Sequence, residues 1–338
     1  MTVAEDPPTA ISAGPLRRLN PLDFIVLSLY WIAIGYLWNS LTALILPDMI
    51  IQFVGRAHEG VAASFLKSLG TLVAILWQPI VGGISDRTIS SWGRRRPFIA
   101  AGTAGDVLFL IGIALAGNYW WLVACYFLLQ LASNTAQAPY QGLLPDVVPF
   151  AQRGTASGYY GVANLAGIAG GTVGAGLLLA HFGRSAAIAS IVVVLVTTML
   201  ITVLVVPDRA VPVEGQFRGP RELLSKTFGV PFSNRNFRWL MVSRLLIFMG
   251  FGGLQNFAFF YFDNAFFQND RKATTIAAST LLGLSIGVAA LITWPASRLS
   301  DRIGRRPLIF AAGLFGAAGT LVLIFSHYRW VPDRLLSP

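Results

Sequence analysis

GGISDRTISSWGRRRPF, residues 82–98, sets one aspartate and four arginines between two long apolar runs. A shorter echo, RLSDRIGRRP, returns at residues 298–307. Such charge is out of keeping with the rest of the chain. Of its 338 residues, 55% are hydrophobic and 12% charged, and the mean hydropathy is +0.64. Soluble domains carry about 25% charged residues, so the apolar runs have no adequate polar cover. A bilayer supplies it. A spanning helix needs about 20 mostly apolar residues, and such runs recur at 23–47, 60–83, 97–116, 119–144, 156–180, 186–206, 238–262, 275–297 and 307–326. The first run is too long for a secretory signal, and others follow it directly. The expected class is an all-α membrane protein with nine spans.

Charge gives the orientation. With loops assigned alternately to two sides, 17 of the 25 Lys and Arg fall on one side and six on the other. Lys67 and Arg244 fall inside spans. Cytoplasmic loops carry the excess of Lys and Arg, which puts the N-terminus and residues 82–98 in the cytoplasm. The net charge of +10 and the pI near 10.2 then reflect topology, and nucleic acid is not an expected partner. The implied location is a multi-pass protein of the plasma membrane, or of the inner membrane in a bacterium. Cys125 stands alone within a span, and His58, His181 and His327 have no metal-ligand spacing, so no metal is expected. GIAGGTVGAG at 167–176 follows no strand and reads as helix packing rather than a nucleotide loop. No catalytic constellation is visible, and neither an enzyme nor an ATP-driven pump is expected.

The chain divides into a polar cytoplasmic tail (1–20), six spans (21–206), a charged cytoplasmic linker (207–237) with a short surface helix near 220–227, and three further spans (238–338). The two charged stretches occupy matching places, after the second span of each set. Trp77 and Pro79 precede Asp86-Arg87 and Gly93-Arg94-Arg95-Arg96-Pro97. Trp294 and Pro295 precede Asp301-Arg302 and Gly304-Arg305-Arg306-Pro307. Internal repetition of this kind characterises secondary transporters. The pattern running from Gly82 through Asp86 to Arg95 resembles the signature loop of the major facilitator superfamily, and residues 301–306 resemble its second copy. The resemblance implies a major-facilitator-type helical bundle, with a six-helix N-terminal half and an incomplete, about three-helix C-terminal half. It also implies a cytoplasmic gate formed by Gly82, Asp86, Arg87, Gly93, Arg94 and Arg95 and by Asp301, Arg302, Gly304, Arg305 and Arg306. Gly82 would let another helix approach closely, and the arginines would meet carboxylates or lipid phosphates. The plainer reading of both loops is a topology anchor.

The form D-R-T-x-x-x-W-G-R-R-R-P-F-I is similar to the sucrose–proton and glycoside–cation symporters. NTAQAPYQGLLPD (134–146) is similar to their fourth-span pattern at Asn134, Gln137, Pro139, Leu143, Leu144 and Asp146. Gln141 stands where that pattern has an arginine tied to substrate and proton coupling. The resemblance implies a secondary transporter moving a sugar or glycoside with a proton or other cation, such as sodium, by alternating access. No other cofactor is implied, and the oligomeric state stays open.

Four residues are candidates for coupling: Asp106, Lys67, Asp146 and Arg244. A charge at mid-bilayer is expensive and is usually functional. Asp106 and Lys67 lie at depths that can match on antiparallel spans, and form either a proton-coupling pair or a structural ion pair. Arg244 either snorkels to the inner edge or pairs across the cavity. A sugar needs amides, hydroxyls and aromatic faces. Tyr36, Trp38, Asn39, Gln130, Asn134, Gln137, Gln141, Asn164, Gln255, Asn256 and Trp294 meet that need, in a cavity lined by spans one, four, five, seven and eight. Each equally suits a helix–helix hydrogen bond or an interfacial belt. Glycines 154, 158, 161, 167, 170, 171 and 174, with Gly283 and Gly287, suit sliding contacts between the halves or ordinary helix packing. The fold has twelve spans and this chain shows nine, so truncation is the expectation and Asp86 would lack its partner helix. The alternatives to a sugar symporter are a non-transporting fragment or accessory subunit, and an exporter of another organic solute. Single cysteines placed between residues 86 and 96, in a Cys125→Ala background, are expected to react with an impermeant thiol reagent from the cytoplasmic side only. Labelling from outside would overturn the topology.

Overall fold

The computed structural model describes residues 17–88, 90–208, 219, 222, 225–229, 233–247, 249–250, 287–289 and 291–326. The chain forms two units, divided between Thr227 and Phe228. Every regular element among the described residues is helical, and the architecture is the all-α membrane bundle expected.

In the first unit, α1 (Pro21–Ser40) begins with proline at its first position, where the missing N–H is no loss. Asp23 Oδ2 accepts from the Asn20 N–H at 2.8 Å and satisfies a free donor. α1 widens into a π-helical turn at Leu41–Ile45 and continues as α2 (Leu46–Val54). The first pass is therefore a continuous 34-residue helix. It overruns the 23–47 read from hydropathy because residues 48–54 keep an amphipathic helical pattern beyond the lipid-facing run. α3 (Glu59–Asp86), α4 (Arg96–Ala114) and α5 (Tyr119–Val147) follow. Asn118 starts α5 by accepting from Trp121 N–H at 2.8 Å. A short 3-10 turn (Phe150–Gln152) leads into α6 (Arg153–Gly170), a second π turn (Gly171–Ala175) and α7 (Gly176–Val205). Within α7 the helix breaks at Gly183, where φ is 81°. Tyr36 borders Gly174 before the break and holds Ser190 Oγ at 2.9 Å after it, so the chain doubles back there. The first unit thus makes six membrane-length passes, whose ends match the sequence-based spans to within a few residues apart from the first.

Four helical segments are long and apolar enough to cross a bilayer by composition: Pro21–Val54, Glu59–Asp86, Arg96–Ala114 and Phe150–Val205. The last has 56 residues and crosses twice. α5 is less apolar because it carries Gln130, Ser133, Asn134, Thr135 and Gln137. It sits against α3 and α4, while α1 sits against α6 and α7, and α4 joins α7. A bilayer gives little hydrophobic drive between helices, so small residues and close packing hold them. A side chain at Gly102 would strike the backbone of Ala132 and Ala136 on α5. A side chain at Gly167 would strike the Ile32 carbonyl on α1, and one at Gly35 would meet the Asn164 carbonyl at 2.6 Å.

Gly167, Gly170, Gly171 and Gly174 fit against α1 inside the same unit, the ordinary packing that was one of the two readings of these glycines. A Cβ added at Gly82 would meet nothing within 4 Å among the described residues. Gly287 also faces open space, and Gly283 lies outside the described residues.

In the second unit, residues 235–247 and 291–303 are helical and α8 runs over Arg305–Ser326. α8 matches the ninth expected span. Much of the seventh and eighth lies outside the described residues, as do the tail 1–16 and most of the linker, where residues 225–229 form a single π turn. Gly167→Ala is expected to destabilise the purified protein by about 1–3 kcal/mol, since overpacking meets a backbone carbonyl. Gly82→Ala is expected to cost nothing measurable. Thermal unfolding in detergent would compare the two.

Candidate functional site

The residues between α3 and α4 form a dense ionic cluster at one rim of the bundle. Gly93 turns the chain at φ 111°, a conformation that suits glycine, and α4 starts three residues later. The turn sends Arg94 and Arg95 inward, where they are 7% and 5% exposed. Arg94 Nη2 donates to Asp146 Oδ2 at 2.6 Å and Arg95 Nε to the same oxygen at 3.1 Å. Arg95 also pairs with Asp86 at the end of α3 and donates to Ser85 Oγ at 2.7 Å. Gly142 on α5 leaves room for this guanidinium: a Cβ there would lie 2.5 Å from Arg95 Cζ. Asp208, just past α7, accepts from the backbone N–H groups of Arg95 and Arg96 at 2.6 and 3.0 Å. It caps α4 where the helix dipole favours negative charge. Arg96 Nη2 reaches the Val206 carbonyl at 2.7 Å. Two guanidiniums thus meet two carboxylates, a third carboxylate takes the backbone N–H groups of Arg95 and Arg96, and the ends of α3, α4, α5 and α7 are tied together.

The arginines meet carboxylates, and the partner of Asp86 is Arg95 of its own loop. Asp146, read from sequence as a coupling candidate, belongs to this rim cluster. Asp208 and Gly142 were missed. An acid at the inner end of the sixth span was the available signal for Asp208; Gly142 gave none. The rim is extended by Arg153, which donates to the Pro145 carbonyl at 2.8 Å and lies over the Phe150 ring, and by Gln152, whose side chain bonds both the N–H and the carbonyl of Leu19.

The repeat recurs in the second unit. Gly304 has φ 87° and is followed by α8, as Gly93 is followed by α4. Asp301 is half-buried, and Arg302 and Arg306 are exposed. Arg298 stacks over Trp294 with its guanidinium carbon 4.0 Å from the ring centre, so this solute candidate carries a cation–π contact within its own helix. Arg244 lies on the exposed side of residues 235–247.

The expected Asp106–Lys67 pair is not formed. Asp106 is 1% exposed on the inner face of α4, whereas Lys67 is on the exposed face of α3. Their helical phase, not their depth, separates them.

Among the solute candidates, Tyr36 holds Ser190, and Asn39 donates to the Ile168 carbonyl at 3.1 Å and to Thr172 Oγ at 2.6 Å. Asn134 donates to the Gln130 carbonyl at 2.7 Å, and Gln130 to the Tyr126 hydroxyl at 3.0 Å. These four stabilise helices. Trp38, Gln137 and Asn164 are half-buried and Gln141 is exposed. Gln255 and Asn256 lie outside the described residues. Sequence reading also missed an aromatic junction of α1, α5 and α6. The Tyr140 and Tyr160 rings stack at 5.5 Å, and Trp31 lies within 6 Å of both.

Asp146→Asn is expected to lower stability by about 1–3 kcal/mol, because two buried guanidiniums lose their shared carboxylate. Asp86→Asn, at a half-exposed carboxylate, is expected to lower it by no more than about 1 kcal/mol. Thermal denaturation of both variants checks the order.

Comparison with known proteins agrees with this geometry. The Major Facilitator Superfamily profile matches residues 22–332. Sucrose transport protein SUC4 of Arabidopsis thaliana is 31% identical over 40% of this chain and 30% of its own. Sucrose transport protein SUT1 of Oryza sativa subsp. japonica is 28% identical over 38% and 27%. The matched part is therefore under a third of the length of these curated relatives. Among solved structures, the human organic anion transporter MFSD10 (TETRAN) superimposes with a TM-score of 0.55 at 17% identity, over 82% of this chain and 71% of that one. It shows the fold. The chain belongs to the Major Facilitator Superfamily, as a multi-pass protein of the lipid bilayer.

Proposed function

We propose that this chain moves a sugar or glycoside across the membrane together with a cation by alternating access, with its N-terminus in the cytoplasm and the plasma membrane as its site. The observation that carries the reading is the glycine-turned arginine loop, present twice, at Gly93 and Gly304. The first copy is clamped by Asp86, Asp146 and Asp208. Such a clamp is a two-state element: closed, it pairs Arg94 and Arg95 with Asp146 and Asp86, and opening must exchange those contacts for water. A solute that binds one arrangement better than the other shifts the balance between them.

The choice of solute rests on the relatives named sucrose transport proteins and on α5. That helix places Gln137 half-buried beyond the self-satisfied Gln130–Asn134 pair. On α1 and α6, Trp38 and Asn164 supply a ring face and an amide. Apolar surface for the sugar's C–H groups and amides for its hydroxyls are the elements such a site requires. The remaining gate residues, Arg87 and the second copy from Asp301 to Arg306, would serve the same inner closure.

The full chain in proteoliposomes is expected to show saturable counterflow of radiolabelled sucrose or a related glycoside, and accumulation driven by an imposed pH or sodium gradient. Absence of saturable flux across a panel of glycosides would overturn the sugar reading. Gln137→Ala is expected to raise the half-saturation concentration about tenfold, as loss of one buried hydrogen bond to solute implies.

A further inference from the structure

The inner face of α4 consists of Ile99, Gly102, Thr103, Asp106, Leu110 and Ile113. Asp106 is the one charged group there. Neither of its carboxylate oxygens has a hydrogen-bond partner among the described residues, and the side chain is inaccessible to water. An isolated ionised carboxylate in such surroundings is unfavourable by many kcal/mol. In a structural role it would have a partner, as Asp86, Asp146 and Asp208 all do.

The surroundings of Asp106 are uncharged. α4 packs against α5 and α7, and α1 reaches it through Tyr30, whose hydroxyl lies 2.6 Å from Thr103 Oγ. From α1, Tyr30 is within Coulombic reach of Asp106. α5 carries the titratable groups Tyr119, Cys125, Tyr126, Tyr140 and Asp146; Tyr119 donates to the Ala62 carbonyl, Asp146 holds Arg94 and Arg95 at the rim, and the Tyr140 hydroxyl donates to the Leu27 carbonyl at 2.6 Å. Beyond Arg184, α7 has no acid or base up to Val205. Among the described residues of α1, α5 and α7 that pack around it, no cation faces the carboxylate, and a bound proton can supply the counter-charge. A metal ion would need several oxygens to replace its hydration shell. The site offers one carboxylate and the Tyr30–Thr103 hydroxyls, and Thr103 already donates to the Ile99 carbonyl at 2.8 Å. The set is too sparse for sodium and sufficient for a proton.

We propose that Asp106, acting without Lys67, is the carrier of the coupled proton; the assignment rests on the transport reading above. The carboxylate binds one proton drawn from the water on the outer side and becomes a neutral acid that the dry interior tolerates. In the inward-open arrangement the O–H bond breaks, the proton enters the cytoplasm, and the bare carboxylate is left where water reaches it. The ionised form disfavours the occluded arrangement and the protonated form permits it, so proton and conformation are linked. Tyr30 also meets Tyr140 edge-on at 5.0 Å, and Tyr140 stacks on Tyr160 of α6. This is a continuous packed route from the acid to the helices that bear the solute candidates.

Two measurements on the full chain test this. Infrared difference spectra of purified wild type, recorded across pH, are expected to show a protonated-carboxyl band that Asp106→Asn lacks. Identical spectra overturn the proposal, as does a carboxylate response to sodium in place of the band. In proteoliposomes, Asp106→Asn is expected to lose pH-gradient-driven accumulation while solute exchange persists, and Asp106→Glu to recover part of the accumulation. Accumulation by Asp106→Asn at the wild-type level overturns the proposal. If wild type itself carries no glycoside, the transport reading fails, and the infrared band alone decides whether Asp106 binds a proton.

Discussion

Two buried guanidiniums at one rim of the bundle must be neutralised, and the rest of the first unit is arranged around that need. Arg94 and Arg95 are almost completely enclosed, and leaving them without the carboxylate they share costs about 1–3 kcal/mol. The enclosing carboxylates come from different places: Asp86 ends α3, Asp146 ends α5 and Asp208 follows α7. The cluster therefore sets which helix ends meet at the rim, while the helices between are held by apolar and small-residue contacts. Four of the six passes are bound by charge at the ends that meet this rim. The opposite face has a lighter tie, Arg184 to Asp48 and Gln52 at 3.2 and 2.6 Å.

Polar groups inside the spans divide into two kinds. Asn39, Gln130, Asn134 and Tyr36 are satisfied within the bundle and hold its helices in register. Asp106 is satisfied by nothing among the described residues. In lipid every unsatisfied polar group is a burden on the fold, so a fold that retains one must gain elsewhere. The contrast between these groups is more informative about function than their number.

Hydropathy made the spans legible, because length and apolarity are local properties. It also identified the arginine loop, since four arginines in an oily chain have few explanations, and the repeat at Gly304 strengthened that reading. Contacts between distant segments were not legible. Asp208 lies more than a hundred residues from the loop it caps, and Gly142 is important only because a guanidinium passes beside it. Lys67 and Asp106 were paired on depth alone, but rotation about the helix axis puts one toward the outside and the other inside. Gly82 fits the motif pattern, yet a side chain begun there would meet nothing within 4 Å among the described residues. A motif gives residue types and spacing, and the facing surface comes from another part of the chain.

The carboxylate that finishes α4 belongs to residue 208. During ribosomal synthesis, the first two free N–H groups of that helix cannot receive their acceptor until the sixth pass has left the tunnel. Until then the 93–96 corner has Asp86 and, later, Asp146 to hold it, and no link to the far edge of the half-bundle. Closure of the inner rim is thereby a late event in assembly, and it reports that all six passes are in place.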